Sequence, residues 1–129
     1  MSYNMASSIF QKQRYTEKYT LAELKTESAR IIGRFPDRVP VIVEKDPNSD
    51  IEDIDKNKYL VPKDLLWGQF ITVIRKKIKL NPEKGLFIYA GNVMLNSTES
   101  TIGQVYEQHR DENGFLCVLY AGESVFGGL

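Results

Sequence analysis

Hydrophobic positions along this chain change their period from one segment to the next. Leu21, Leu24, Ile31, Ile32 and Phe35, with Ser28 among them, recur at three- and four-residue steps, the spacing of an amphipathic helix. Thr20 stands at its N-cap, Glu23 completes a capping box three residues on, and Pro36 stops the helix after about four turns. Ahead of it, Gln11 to Lys18 is short and charged, with Tyr15 as its main apolar group, and reads as a helical turn or two. Met1 to Phe10 reads as a mobile arm, the usual state of a terminus with little to bury.

Beyond Pro36 the pattern turns to strands. Val39 to Lys45 is β-branched and apolar; Pro40 within it requires a strand start or a position whose N–H is not needed. Asp46 to Asp55 gathers Pro, Asn, Ser and several acids and reads as an acidic, solvated loop. Tyr59, Leu60 and Val61 make a second short strand ending at Pro62. Asp64 is expected to cap a helix from Leu65 to Lys77, with Leu66, Phe70, Val73, Ile74 and Ile78 along one side, ended by Asn81 and Pro82. Leu86 to Tyr89 reads as a strand, Gly91-Asn92 as a turn, and Thr101 to Gln108 as a short helix around Ile102, Val105 and Tyr106. After a turn over Asp111 to Gly114, the apolar run Phe115 to Tyr120 has the character of a strand inside a covered sheet. The order predicts an α+β fold with one mixed sheet of four strands. Three parts are expected: an arm over 1–14, a single folded domain over 15–126 and a tail over 127–129.

Composition narrows the function classes. The chain has 129 residues, and 17 Lys and Arg balance 17 Asp and Glu, so no net charge draws it to nucleic acid or an anionic membrane. With one cysteine, an internal disulfide is impossible and a reducing compartment is expected. The apolar runs fall far short of the roughly 20 residues that cross a bilayer. The polar start carries no signal-peptide core. These features together predict a small soluble intracellular domain.

Enzyme chemistry finds little footing, and none is expected. His109 stands alone near a helix end, and Cys117 lies inside an apolar run, where it behaves as a small hydrophobe. No glycine cluster opens a helix after a strand to hold phosphate. The acids between Glu44 and Asp55 lack the spacing and the glycine of a calcium loop, so no metal or cofactor is expected. Arg75, Lys76, Lys77 and Lys79 cluster where a helix macrodipole favours cations.

Two features stay open on the residues alone. Alternation along the strand sets Lys56, Lys58 and Leu60 on one face and Tyr59 and Val61 on the other. Such an edge either invites an extended peptide or simply uses lysine to block aggregation. The tail Glu123 to Leu129 carries Gly127 and Gly128. Glycine enters a narrow enzyme channel without a Cβ to clash, and the same residues are also compatible with a frayed end.

Several motifs, in order, resemble the ubiquitin-like modifiers of autophagy, the family conjugated to phosphatidylethanolamine. They are Arg38-Val39-Pro40-Val41-Ile42-Val43-Glu44-Lys45, Ile54-Asp55-Lys56-Asn57-Lys58-Tyr59-Leu60-Val61-Pro62, Gly68-Gln69-Phe70, Ile74-Arg75-Lys76-Lys77-Ile78, Glu83-Lys84, Asp111-Glu112-Asn113-Gly114-Phe115-Leu116 and the closing Phe126-Gly127. The likeness spans about Tyr19 to Gly127. It implies a ubiquitin-like β-grasp with two additional N-terminal helices. It also implies a modifier whose tail a cysteine protease trims, whose glycine an activating enzyme adenylates, and which carriers pass by thioester to the lipid amine. Conjugation falls on Gly127, with Gly128 as the alternative, and cleavage at the Gly127–Gly128 bond.

The resemblance further implies two pockets for a short aromatic–x–x–aliphatic motif carried by autophagy receptors. Glu27, Ile31, Pro40, Ile42, Lys56, Lys58, Leu60 and Phe115 would form the aromatic pocket. Arg38, Tyr59, Val61, Pro62, Leu65, Phe70 and Val73 would form the aliphatic one. Trp67 is read as added exposed apolar surface. The implied location is the cytoplasm, and the autophagosome or vesicle membrane after conjugation. The competing reading is a peptide-binding trafficking adaptor of the same fold that is never lipidated.

Overall fold

The computed structural model describes residues 14–122. The expected arm over 1–14 falls outside that span except for Arg14, and so do the tail over 127–129 and both of its glycines.

A one-turn 3-10 helix, Tyr15–Lys18, precedes α1, Leu21–Arg34. They are followed by β1, Arg38–Lys45; β2, Lys58–Pro62; α2, Trp67–Lys77; β3, Phe87–Ala90; β4, Val93–Met94; α3, Ile102–His109; and β5, Leu116–Ala121. The sheet runs β2-β1-β5-β3-β4. β1 and β5 are parallel at its centre, and the remaining pairs are antiparallel. This is the β-grasp arrangement, with the two N-terminal helical pieces added. The sheet has five strands where four were expected. β4 is two residues long and pairs Ala90 with Val93 across Gly91 and Asn92, so its pattern was too short to register beyond a turn. Gly91 takes φ +59°, the positive value that the first loop position of a tight hairpin favours.

The capping box forms as read: Thr20 Oγ1 accepts from the Glu23 N–H at 3.0 Å, and the Glu23 carboxylate accepts from the Thr20 N–H at 2.8 Å. The face that α1 buries is narrower than the stripe suggested. Leu24, Ser28 and Ile31 are buried, whereas Leu21, Ile32 and Phe35 are exposed. Ser28 Oγ donates to the Asn113 carbonyl at 2.8 Å and ties the helix to the turn before β5. Gly114 in that turn has φ +89°, and a Cβ there would stand 2.0 Å from Ser28 Oγ.

Pro40 sits where its missing N–H goes unused. The Val43 N–H points toward β2 and donates to the Asn57 carbonyl at 2.8 Å. Alternation then turns the Pro40 nitrogen toward β5, whose ladder begins only at Val41 and Leu116.

Two apolar clusters flank the sheet. The larger joins Val39, Val41, Val43, Val61, Phe70, Ile74, Leu116 and Tyr120 under α2 and α3. The smaller joins Leu24, Ile31, Ile42 and Phe115 under α1.

Three readings change here. Asp64 does not cap α2, which starts at Trp67. Its first N–H groups go instead to the Ser100 carbonyl at 2.7 Å and the Thr98 carbonyl at 3.1 Å. Trp67 is fully buried, packed on Phe70 at 5.7 Å with Nε1 donating to the Leu95 carbonyl at 3.0 Å, so it adds no surface. The acidic loop is anchored rather than merely solvated. Ile51 and Ile54 enter the core, Tyr89 donates its hydroxyl to Asp46, and Tyr120 donates to the Glu52 carbonyl at 2.7 Å.

Candidate peptide-docking edge

β2 ends the sheet on one side, so among the described residues one row of its backbone groups has no strand partner. The opposite edge is the two-residue β4, too short to template an added strand. An unpaired five-residue strand beside apolar side chains is the feature that invites β-augmentation.

Alternation along β2 sends its side chains to the two different clusters. Leu60 packs at the margin of the smaller cluster, whereas Tyr59 and Val61 belong to the larger one. Of the residues assigned to an aromatic pocket, Ile31, Ile42, Leu60 and Phe115 meet in that smaller cluster. Pro40 is buried beside them as the register partner of Leu60. Glu27 on α1 and Lys58 on β2 bridge above, Nζ to Oε2 at 2.9 Å. Arg30 grips the same carboxylate with Nε and Nη2, both at 3.0 Å. These contacts, Arg30 first and Lys58 second, draw the Glu27 carboxyl down to about 2. The same carboxylate raises the Lys58 ammonium.

Lys56 does not share that face. It precedes β2, and its Nζ lies 5.3 Å from the Tyr59 ring centroid, on the other side of the edge. Three residues absent from the expected pocket stand at or in the cluster: Leu24, Tyr15 and Cys117. Leu24 was legible, one heptad before Ile31 on the same helical face. Burial pushes the Cys117 thiol up to about 11, which suits a packing role and not a nucleophile.

The second assigned group is less uniform. Tyr59 meets Phe70 edge-on, with centroids 6.0 Å apart and planes at 81°. Val61 and Phe70 are buried, and Leu65 packs partly against them. Pro62 and Val73 are exposed. The Tyr59 hydroxyl is buried without a hydrogen-bond partner among the described residues, and its pKa is raised chiefly by that burial, then by Asp55. Arg38 stands opposite Pro62 and faces a separate cavity between α1 and α3.

Among the described residues no group of His, Cys, Asp and Glu is placed to hold a metal, and no helix is long and apolar enough to cross a membrane.

A ubiquitin-like β-grasp with a free, two-faced edge strand is the class that this fold defines. The profile of the family described as autophagy protein Atg8, ubiquitin-like, matches residues 23–127. Autophagy-related protein 8 of Candida albicans is 52% identical over 116 residues, 90% of this chain and 85% of that protein. Autophagy-related protein 8d of Arabidopsis thaliana is 49% identical over 113 residues, 88% of this chain and 93% of that protein. The crystal structure of Trypanosoma brucei ATG8 superposes with a TM-score of 0.78 at 39% identity, over 91% of this chain and 100% of that one. The chain belongs to the ATG8 family of ubiquitin-like modifiers of autophagy.

Proposed function

We propose that the β2 edge docks receptor peptides and that the tail is the site of lipid attachment. The observation that carries the docking reading is the division of β2 between two apolar clusters. Leu60 serves the cluster under α1, and Tyr59 and Val61 serve the one under α2. An aromatic–x–x–aliphatic peptide paired along β2 sets its aromatic ring toward Ile31, Leu60 and Phe115. Its aliphatic residue lies further along, toward Tyr59, Leu65 and Phe70. That order makes the peptide run parallel to β2. Affinity near the micromolar range fits one buried aromatic anchor plus backbone pairing, less the cost of association.

Attachment begins with hydrolysis of the Gly127–Gly128 bond by a cysteine protease, which consumes one water and releases Gly128-Leu129. The freed Gly127 carboxylate takes AMP from ATP on an activating enzyme, with pyrophosphate leaving. Thioesters on that enzyme and on a conjugating enzyme then carry the acyl group. The phosphatidylethanolamine amine displaces the last thiolate to form an amide. The family profile ends at Gly127, which supports this residue over Gly128. This chain supplies only the carboxylate, so the reading assigns it no catalytic role. Two acyl chains on one lipid suffice for stable anchoring, and the protein would divide between cytoplasm and autophagosomal membrane.

Mass spectrometry of the C-terminus from starved cells tests the attachment. The expected species ends at Gly127, free or carrying the lipid, and Gly127→Ala removes the lipidated form. Intact Leu129 as the only species overturns conjugation and leaves the non-lipidated adaptor.

A further inference from the structure

A cavity of about 570 Å³ opens between the end of α1 and α3, beside the point where β2 ends. Ile32, Val39 and Tyr106 give it apolar walls, and Arg38, Lys63 and Arg110 give it a cationic margin. Glu107 also reaches this margin, but it pairs with Arg110 at 3.6 Å. Arg38 and Lys63 form no ion pair among the described residues. The Arg110 guanidinium lies 5.8 Å from the Tyr106 ring centroid, so charge and aromatic surface adjoin.

The backbone around Lys63 is fixed while its ammonium stays free. The Lys63 N–H donates to the Asp37 carbonyl at 3.1 Å, and its carbonyl accepts from the Gly103 N–H at 2.9 Å. A Cβ at Gly103 would lie 3.3 Å from that carbonyl, so glycine there lets α3 approach closely. The first N–H groups of α3 are thereby occupied, by the Leu65 and Lys63 carbonyls and by Thr101 Oγ1. The attraction for an anion comes from side chains and not from the helix end.

Position links the cavity to the docking edge. Arg38 is the register partner of Pro62. A peptide running parallel to β2 leaves the strand there, because Pro62 has no N–H and the chain then turns. The residues after the aliphatic anchor therefore meet Lys63 and Arg38 first and the apolar walls next. We propose that the cavity is a further subsite for an acidic segment with an apolar side chain, lying directly C-terminal to the docking motif of a partner. The occupant follows from charge complementarity: two unpaired cations and a third half-neutralised one surround an apolar hollow. An extension of about six residues reaches roughly 20 Å, enough to cross the opening. The proposal rests on the docking reading.

Calorimetric titration of the full chain with two synthetic peptides tests it. One carries Trp-x-x-Leu with neutral flanks; the other adds six residues holding a Leu between Glu residues. The longer peptide is expected to bind about tenfold tighter, with the gain shrinking at high salt. Lys63→Glu and Arg110→Glu change exposed side chains, so the fold stays intact. Each should remove most of the gain while motif-only binding stays within about twofold. A gain that is absent, or that survives both reversals, overturns the subsite and leaves docking standing. No binding of the motif-only peptide overturns docking itself, and the subsite falls with it.

Discussion

Lys58 Nζ lies 2.9 Å from Glu27 Oε2, and this contact joins the free edge strand to the helix that roofs the smaller apolar cluster. β2 and α1 also meet through Leu60, which packs against the cluster of Leu24 and Ile31. The pair therefore stands at the rim of the aromatic pocket, and Arg30 holds the same carboxylate from the solvent side.

A pH titration should expose that arrangement. The Glu27 carboxyl is held near 2, below its ordinary 4.5, chiefly by Arg30 and then by Lys58. A depressed carboxylate contributes stability that is complete above its unfolded pKa and is lost as pH falls through the folded one. The loss should therefore run from about pH 4.5 down to about 2, with pH 5 to 8 flat for this group. Side-chain carboxyl NMR shifts should give a Glu27 midpoint near the lower value. In Lys58→Met the midpoint should rise only part of the way to normal, because the Arg30 bonds remain. A wild-type midpoint near 4.5 would contradict the observed geometry.

Gly114→Ala should be among the more damaging single methyl additions in the fold. The residue sits at φ +89°, and its new Cβ would meet Ser28 Oγ at 2.0 Å. The backbone conformation alone costs an L-residue about 1–3 kcal/mol, and the clash adds to that by pushing α1 off the turn. Urea denaturation should show the loss, and Gly114→Ala combined with Ser28→Ala should recover only part of the steric cost, because the Cβ at position 28 would still lie 2.8 Å from the new methyl. Full recovery in the double variant would mean that φ carries no strain.

Trp67→Phe should cost about 2 kcal/mol, from a lost indole hydrogen bond and a partly unfilled site. The Leu95 carbonyl loses its donor, and the 91–100 segment loses one of its ties to α2 while the Thr98 and Ser100 carbonyls keep theirs. Amide exchange should quicken there before it does in the β1–β5 ladder.

Most of the fold was legible because period and capping agree. Thr20 with Glu23, Pro36 after α1 and the apolar run ending at Tyr120 each left one reading. The failures share a cause. Asp64 looked like a cap because a helix start needs one, yet carbonyls from a loop some 30 residues away satisfy those N–H groups, and no local pattern carries that. Trp67 looked exposed for the same reason, since its partner Leu95 is distant in sequence. At the docking edge, strand alternation separated Leu60 from Tyr59 and Val61. It failed at Lys56, because β2 begins only at Lys58 and alternation has no meaning before a strand starts. Tyr15 and Cys117 join the cluster through tertiary packing, which neither residue's neighbours announce.

Cys117 should react slowly. Its thiol is pushed up to about 11, first by burial, with Asp111 and Glu44 adding to the shift and Asn113 opposing it. At neutral pH almost no thiolate exists. Iodoacetamide alkylation of the folded chain should be far slower than in urea and should rise toward pH 11. Because the folded pKa exceeds the ordinary 9.0, this group's stabilisation is complete below that value and fades as pH climbs through the folded one. Rapid alkylation at pH 7 would place the sulfur outside the cluster.

The two-sided edge makes a demand that a generic sticky strand does not. If the clusters under α1 and α2 receive different peptide residues, losses should couple within a side and add across sides. Leu60→Ala trims the aromatic side, and Leu65→Ala trims the aliphatic one; neither residue is fully buried, so the fold should survive both. Each should weaken a Trp-x-x-Leu peptide by about tenfold, as truncation of a contact anchor does. Replacing the peptide Trp with Ala should then cost little more in Leu60→Ala yet its full amount in Leu65→Ala. Replacing the peptide Leu should show the reverse. Fluorescence anisotropy over all nine pairings of the three proteins and three peptides measures the coupling. Losses that add everywhere would mean that neither leucine meets the peptide residue assigned to it, and the assignment of Leu60 and Leu65 to separate anchors would fail.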